Sequence, residues 1–206
     1  LLRDIFIPLA HNYCDDATHI ESLWNAIENA HNTKARYYHN LAHLEHLYRC
    51  LLNVKNNIKD WDMILFALFY HDYVYNVLQQ NNEEQSAKKA IEVLSSLSID
   101  KNRITSCSDM ILATKGHHIS KNNDVNYFTD ADLSILGSDW GQYTIYFANV
   151  RKEYKYYPNF MYNKGRVKVL HHFIQMPTIF KTDYFYRRYE QQAKKNLQQE
   201  MDTLTK

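Results

Sequence analysis

YHNLAHLEHLYRCL, residues 38–51, decides the fold class. Leu41, Leu44, Leu47 and Leu51 recur at helical spacing, which predicts an amphipathic helix with one face in a core. If the helix takes in the start of the segment, His39 and His43 stand four apart on one face. His46 falls on the same face, where it is a candidate partner to those histidines, though packing is the plainer reading.

The helical pattern extends outward in both directions. THIE, residues 18–21, reads as a capping box in which Thr18 takes a backbone N–H and Glu21 reaches back. It opens a helix carrying Leu23, Trp24, Ile27 and Ala30. Asp60 is placed to cap a helix from Trp61 to Tyr75 that holds the run ILFALFY and the pair His71-Asp72. Polar NNEEQ starts another helix, which runs to about Leu97. Asp100 opens the next, with Ile104, Cys107, Ile111 and Leu112 on one side. Residues 115–128 are rich in Asn, Asp and Ser and read as a loop. Short helices are expected over 130–136 and 140–156. A further helix after Pro158 carries Val167, Leu170, Phe173 and Ile174, and the last runs from about Asp183 to the end. No alternation marks a strand, and no repeat or linker interrupts the pattern. The expectation is one all-α domain over residues 1–206.

Bulk properties narrow the function classes. The 206 residues are 45% hydrophobic with a net charge of +1, which gives no global pull toward nucleic acid or an anionic membrane. Four Gly and three Pro leave helices free to run long, and 17 Tyr can pack while keeping a hydroxyl at the core edge. Cys14, Cys50 and Cys107 are scattered with no CxxC, against a disulfide framework or a zinc knuckle. The apolar run Ile64 to Tyr70 is too short to span a bilayer. No basic segment followed by a long apolar core opens the chain, so a cytoplasmic protein with no membrane partner is expected. No long heptad pattern sets an oligomeric state.

The chemistry-bearing residues come in the order His43, His71-Asp72, then DADL with Asp130 and Asp132. Imidazole nitrogens and carboxylate oxygens together suit a divalent ion such as Mn, Mg, Fe, Co, Ni or Zn, in one or two copies. Such an ion polarises a phosphoryl oxygen and activates water at neutral pH. Adjacent residues on a helix point about 100° apart, so His71 and Asp72 share an ion only at a helix end or a kink. Each residue alone has a plainer reading as a core histidine or a helix cap, and only their joint order points to a metal site.

On these residues the chain resembles the HD superfamily of metal-dependent phosphohydrolases, and within it a small bacterial group of predicted HD phosphohydrolases. RYYHNLAHLEHL, FYHDYVYN, NNEEQSA, ILATKGH, DADLSILG, VRKEY and QQAKKNL carry the resemblance over most of the chain. YHNLAH is also similar to the HNxxH signature of cyclic-nucleotide phosphodiesterases, and ADLS to their last metal-ligand motif. The resemblance implies an HD-domain-like helical bundle. It implies His43, His71, Asp72 and Asp132 as metal ligands, with Asp130 in reserve. It also implies His39 as proton donor to the leaving oxygen, and Asp72 can help orient or deprotonate the water. The phosphodiesterase pattern continues with His-Pro-Gly, where this chain has Tyr73, Val74 and Tyr75, so only the metal chemistry carries over.

Other residues are secondary. His117, beside His118, is a candidate second-metal or phosphate contact, or a plain loop histidine. Glu83 is a candidate contact to the water, and Glu84 beside it a first-turn helix acid. Arg36 is a candidate anion clamp, whereas Arg151 reads better as a structural ion pair. In DYFYRRYEQQAKK, residues 183–195, aromatics are expected inward and the basic residues outward, which disfavours nucleic acid as a partner. The expected activity is hydrolysis of a small phosphorylated substrate, a nucleotide or another metabolite. A di-iron oxygenase on the same fold and a non-catalytic nucleotide-binding regulatory module are the alternatives.

Overall fold

The computed structural model describes residues 1–204, and the described chain is all-helical, with ten α-helices, two short 3-10 turns and no strand. The last two residues, into which the final helix was expected to run, lie outside the described residues. Packing divides the chain into two compact units, Leu1–Thr129 and Asp130–Lys206. No described helix is long and apolar enough to cross a membrane.

The first unit is built around α4 (Trp61–Tyr70), in which every residue from Met63 to Tyr70 is buried. A helix apolar on all sides must be surrounded. Here α3 (Leu41–Leu52), α5 (Asn82–Ser96) and α6 (Lys101–Ala113) pack against it. The unexpected α1 (Leu2–His11) adds Phe6, which meets Trp24 of α2 (Ala17–His31) and Phe66 and Phe69 of α4 at centroid distances of 5.1–6.4 Å. The Phe6 contacts with Phe66 and Phe69 are edge-on, the arrangement aromatic rings prefer.

Caps set the helix starts. Asp60 accepts from the Met63 N–H at 3.2 Å and Asp100 from the Asn102 N–H at 2.9 Å, as expected. For α2 the expectation needs correcting. Asp16, not Thr18, is the cap, accepting from the His19 N–H at 3.0 Å, and Glu21 pairs with Arg3 instead of reaching back. Leu112 is exposed, off the buried face of Ile104, Cys107 and Ile111. The predicted loop is shorter than expected, because α7 (Asn123–Leu133) begins at Asn123. Asn122 accepts from the Asp124 N–H at 3.0 Å, and the buried Asp124 carboxylate accepts from the N–H groups of Lys59 and Asp60. Those Asn and Asp residues are helix-start and tie-down residues. The three cysteines are free thiols.

In the second unit a 3-10 turn (Ser134–Gly137), α8 (Trp140–Glu153), α9 (Asn159–Gln175) and α10 (Asp183–Leu204) follow. Gly137 touches α10 so closely that a Cβ there would lie 2.5 Å from the Cβ of Tyr189. Arg166 binds Glu200 through two nitrogens at 2.7 and 2.9 Å, and Tyr143 donates its hydroxyl to the same carboxylate. Phe185 of the aromatic and basic C-terminal stretch is buried and Arg187 and Arg188 are exposed, as expected, but Tyr186 faces water instead of packing inward.

Candidate metal centre

Helix α3 begins at Leu41, with the Asn40 side chain accepting from the Ala42 N–H at 2.9 Å. His39 therefore precedes the helix, and the shared helical face expected for His39 and His43 does not exist. The two rings are neighbours all the same, 5.8 Å between centroids. His39 stacks on Tyr75 at 4.2 Å with a 27° interplanar angle.

Helix α4 ends at Tyr70, not Tyr75, and His71 is its C-cap. This supplies the helix end that a shared ion requires of neighbouring residues. The last turn of a helix leaves carbonyls without partners. His71 Nδ1 takes one, the Leu68 carbonyl at 3.0 Å. A carbonyl only accepts, so the proton sits on Nδ1 and the Nε2 lone pair faces the other donors. The negative end of the α4 dipole lies at the same place and favours a cation.

Three donor atoms converge inside the first unit. His43 Nε2 and His71 Nε2 are 3.2 Å apart, and an Asp72 oxygen lies 3.1 Å from the second and 3.7 Å from the first. Donor atoms 3.1–3.7 Å from one another are close enough for His43, His71 and Asp72 to hold one divalent ion between them. The donor set fits a divalent ion in size and in chemistry. Burial works to raise the Asp72 carboxyl, but His71, His39 and His43, when their imidazoles are protonated, overcome it and hold the group well below the usual carboxylate range.

Among the described residues, His43 and His71, both buried, and Asp132, half-buried, form a group of two imidazoles and a carboxylate that could hold a metal ion; Asp72, His117 and Glu83 are not in that group. Asp132 lies in the last turn of α7. Asp130, the reserve ligand, is a structural residue. Its fully buried carboxylate accepts from the Lys181 and Thr182 N–H groups, the Thr182 hydroxyl and the Lys181 ammonium, at 2.8–3.2 Å.

Arg36 also differs from its expected role. Its guanidinium donates to the carbonyls of His39 (3.1 Å), Asp72 (2.6 Å) and Tyr73 (2.9 Å) and lies 5.4 Å from the Tyr75 ring centre. It ties the segment before α3 to the turn after α4 and so holds His39 and Asp72 in register. In NNEEQSA the anchoring residues are Asn82, which exchanges hydrogen bonds with the Asn76 backbone, and Ser86, which does so with Val74. Glu83 is half-buried in the first turn of α5, and Glu84 pairs with Lys115. His117 follows α6 in a left-handed conformation, φ 51°, held by its N–H on the Ala113 carbonyl at 2.9 Å. That conformation is uncommon for a residue with a Cβ. His46 stands against Cys50, Nε2 to Sγ 3.7 Å. Arg151 donates to the Tyr154 and Tyr157 carbonyls in the second unit, a structural role made through carbonyls where an ion pair was expected.

Sequence reasoning did not single out Tyr75, which positions the His39 ring, or the Leu68 carbonyl, which sets the His71 tautomer. The second was signalled by a histidine at a helix C-terminus. His31, read as one of the structural histidines, is fully buried, with Nδ1 2.9 Å from the Ile27 carbonyl and a pKa that burial pushes down to about 4. Comparison with family models, with curated proteins and with solved structures finds no match for this chain.

Proposed function

We propose that the chain is a metal-dependent phosphohydrolase with an HD-domain-like helical bundle, acting on a phosphate ester of a nucleotide or another small metabolite. The convergence of the His43, His71 and Asp72 donor atoms to within 3.1–3.7 Å of one another carries this reading. Asp132 is the proposed fourth ligand. Phe128 of α7 packs edge-on to the His71 ring at 5.6 Å, and Asp132 lies one turn further along the same helix face.

A divalent ion held there supplies Lewis acidity for a phosphoryl oxygen and for the attacking water. The chain supplies position and protons. Asp72 accepts a hydrogen bond from the attacking water and orients it. His39, stacked on Tyr75 beside His43, delivers a proton to the leaving oxygen, a contribution of about 10² to 10⁴ in rate. Arg36 holds both groups in place through the backbone. His117 and Glu83 are the candidates for substrate or second-metal contact.

The test is phosphate release from a panel of nucleotides and sugar phosphates with Mn, Mg, Co or Ni, beside Asp72→Ala. Metal-dependent turnover lost in that variant supports the reading. Bound iron with a mixed-valent spin signal and no phosphate release replaces it with the oxygenase, and nucleotide binding without turnover in any metal replaces it with the regulatory module.

A further inference from the structure

We propose that the outer face of α9 and the turn before it form a docking surface for an anionic lipid bilayer. The inference is independent of the metal site. No acidic residue occurs between Glu153 and Asp183. Glu153 is itself buried, so the intervening surface has no negative side chain of its own. On it stand Tyr156 at 67% exposure, Phe160 at 74% and Met161 at 48%, with Val169 at 44% two turns further on. Exposed Lys155, Lys164 and Lys168 surround them, and none of the three pairs with a carboxylate among the described residues. Phe160, Lys164 and Lys168 make one row at four-residue spacing, and Met161 and Val169 belong to the adjoining row. The buried positions Tyr162, Arg166 and Leu170 lie on the side away from the Phe160, Lys164 and Lys168 row, and Val169 borders them.

The turn that presents the rings is built. Arg151 donates to the carbonyls of Tyr154 and Tyr157 and to the Asn159 side chain at 2.7–3.0 Å, and its guanidinium lies 4.6 Å from the Tyr162 ring centre. The Tyr157 N–H closes on the Tyr154 carbonyl at 2.9 Å. A fixed turn that holds a large apolar ring three-quarters in water, ringed by lysines with no carboxylate partner among the described residues, is complementary to a headgroup layer above acyl chains.

The kind of cation favours lipid over nucleic acid. The guanidiniums suited to forked phosphate contacts, those of Arg151 and Arg166, are bound internally, and the outward charges are lysines, point charges that suit a diffuse surface potential. Met161 and Val169 offer aliphatic carbon, on which a base cannot stack. A second copy docked face to face would set lysine against lysine. The chain's net charge of +1 conceals this local asymmetry.

The test is co-sedimentation of the full chain with phosphatidylcholine vesicles holding about 30% phosphatidylserine, beside pure phosphatidylcholine vesicles. Binding is expected only to the anionic vesicles and is expected to fall with salt. Each lysine is worth about fivefold, so Lys164→Glu with Lys168→Glu is expected to lower affinity at least about 25-fold. Phe160→Ser with Met161→Ser is expected to lower it at least about tenfold. All four side chains are exposed, so circular dichroism is expected to be unchanged. No binding by the wild type, equal binding to both vesicles, or variants that bind like the wild type overturn the proposal. So does binding of a uridine oligonucleotide that the same substitutions abolish, or dimerisation that Phe160→Ser abolishes.

Discussion

The two aspartates of DADL are predicted to fail in opposite ways. Asp130 holds four donors on its two oxygens, among them the Lys181 ammonium at 3.2 Å, and the Lys181 side chain is only 5% exposed. Asp130→Asn turns one acceptor into a donor aimed at donors and leaves a buried cation uncompensated. Breaking a buried pair from one side costs about 3–5 kcal/mol. For a chain of this length, at about 2–4 °C per kcal/mol, the thermal midpoint of the Asp130–Lys181 region falls by roughly 6–20 °C. Burial pushes the Asp130 carboxyl up and the Lys181 ammonium down, each toward its neutral form. Removing both charges in Asp130→Asn with Lys181→Met therefore recovers most of the loss. Asp132→Asn, at a half-buried position, changes stability by less than about 1 kcal/mol but weakens Mn or Co binding at least about tenfold in titration calorimetry. The assignment is refuted if Asp130→Asn melts like the wild type, or if Asp132→Asn binds the ion as tightly as the wild type.

Three further outcomes are expected. A divalent ion at about 100 times its dissociation constant raises stability by about 2.7 kcal/mol, chelation reverses this, and His43→Ala abolishes it, all readable by thermal denaturation with and without the ion. His31 has a folded-state pKa of about 4 against 6.5 for a free imidazole, so the unfolded chain takes the proton first. Stability is complete above about pH 6.5 and falls by up to about 3 kcal/mol as the pH drops toward 4; urea unfolding at several pH values detects this, and His31→Leu flattens that part of the profile. Arg36→Lys loses the fork that reaches three carbonyls and costs about 1–3 kcal/mol, with weaker ion binding as His39 and Asp72 loosen; unchanged urea and metal titrations would contradict it.

Helix class was legible because apolar spacing and capping side chains are local. Asp60 and Asp100 announce their helices within three residues, and the stripe from Leu41 to Leu51 has one reading. The early end of α4 was less legible, because nothing between His71 and Tyr75 forbids a helix. It is stopped from afar, by Arg36 on the Asp72 and Tyr73 carbonyls and by Ser86 on Val74. Asn40 was a readable cap that would have placed His39 outside α3, and the His39 to His43 spacing obscured it. Asp130 and Asp132 are alike in a sequence, since the partner that separates them, Lys181, lies 51 residues on. Polar Asn and Asp at 122–126 carry turn chemistry and cap chemistry equally, so the sequence alone does not separate the start of α7 from a loop.

Helix α4 has consequences for the order of events as the chain folds. From Met63 to Tyr70 it has no side that tolerates water, and two of its covering helices, α5 and α6, are synthesised after it. A nascent chain that stops short of Ala113 holds an unshielded greasy rod and is exposed to aggregation until the later helices arrive. His71 and Asp72 stand at the tip of that rod. On the proposed metal reading, an ion would meet these residues in a frame already closed by apolar packing, and would act as a late lock on the fold instead of a template for it.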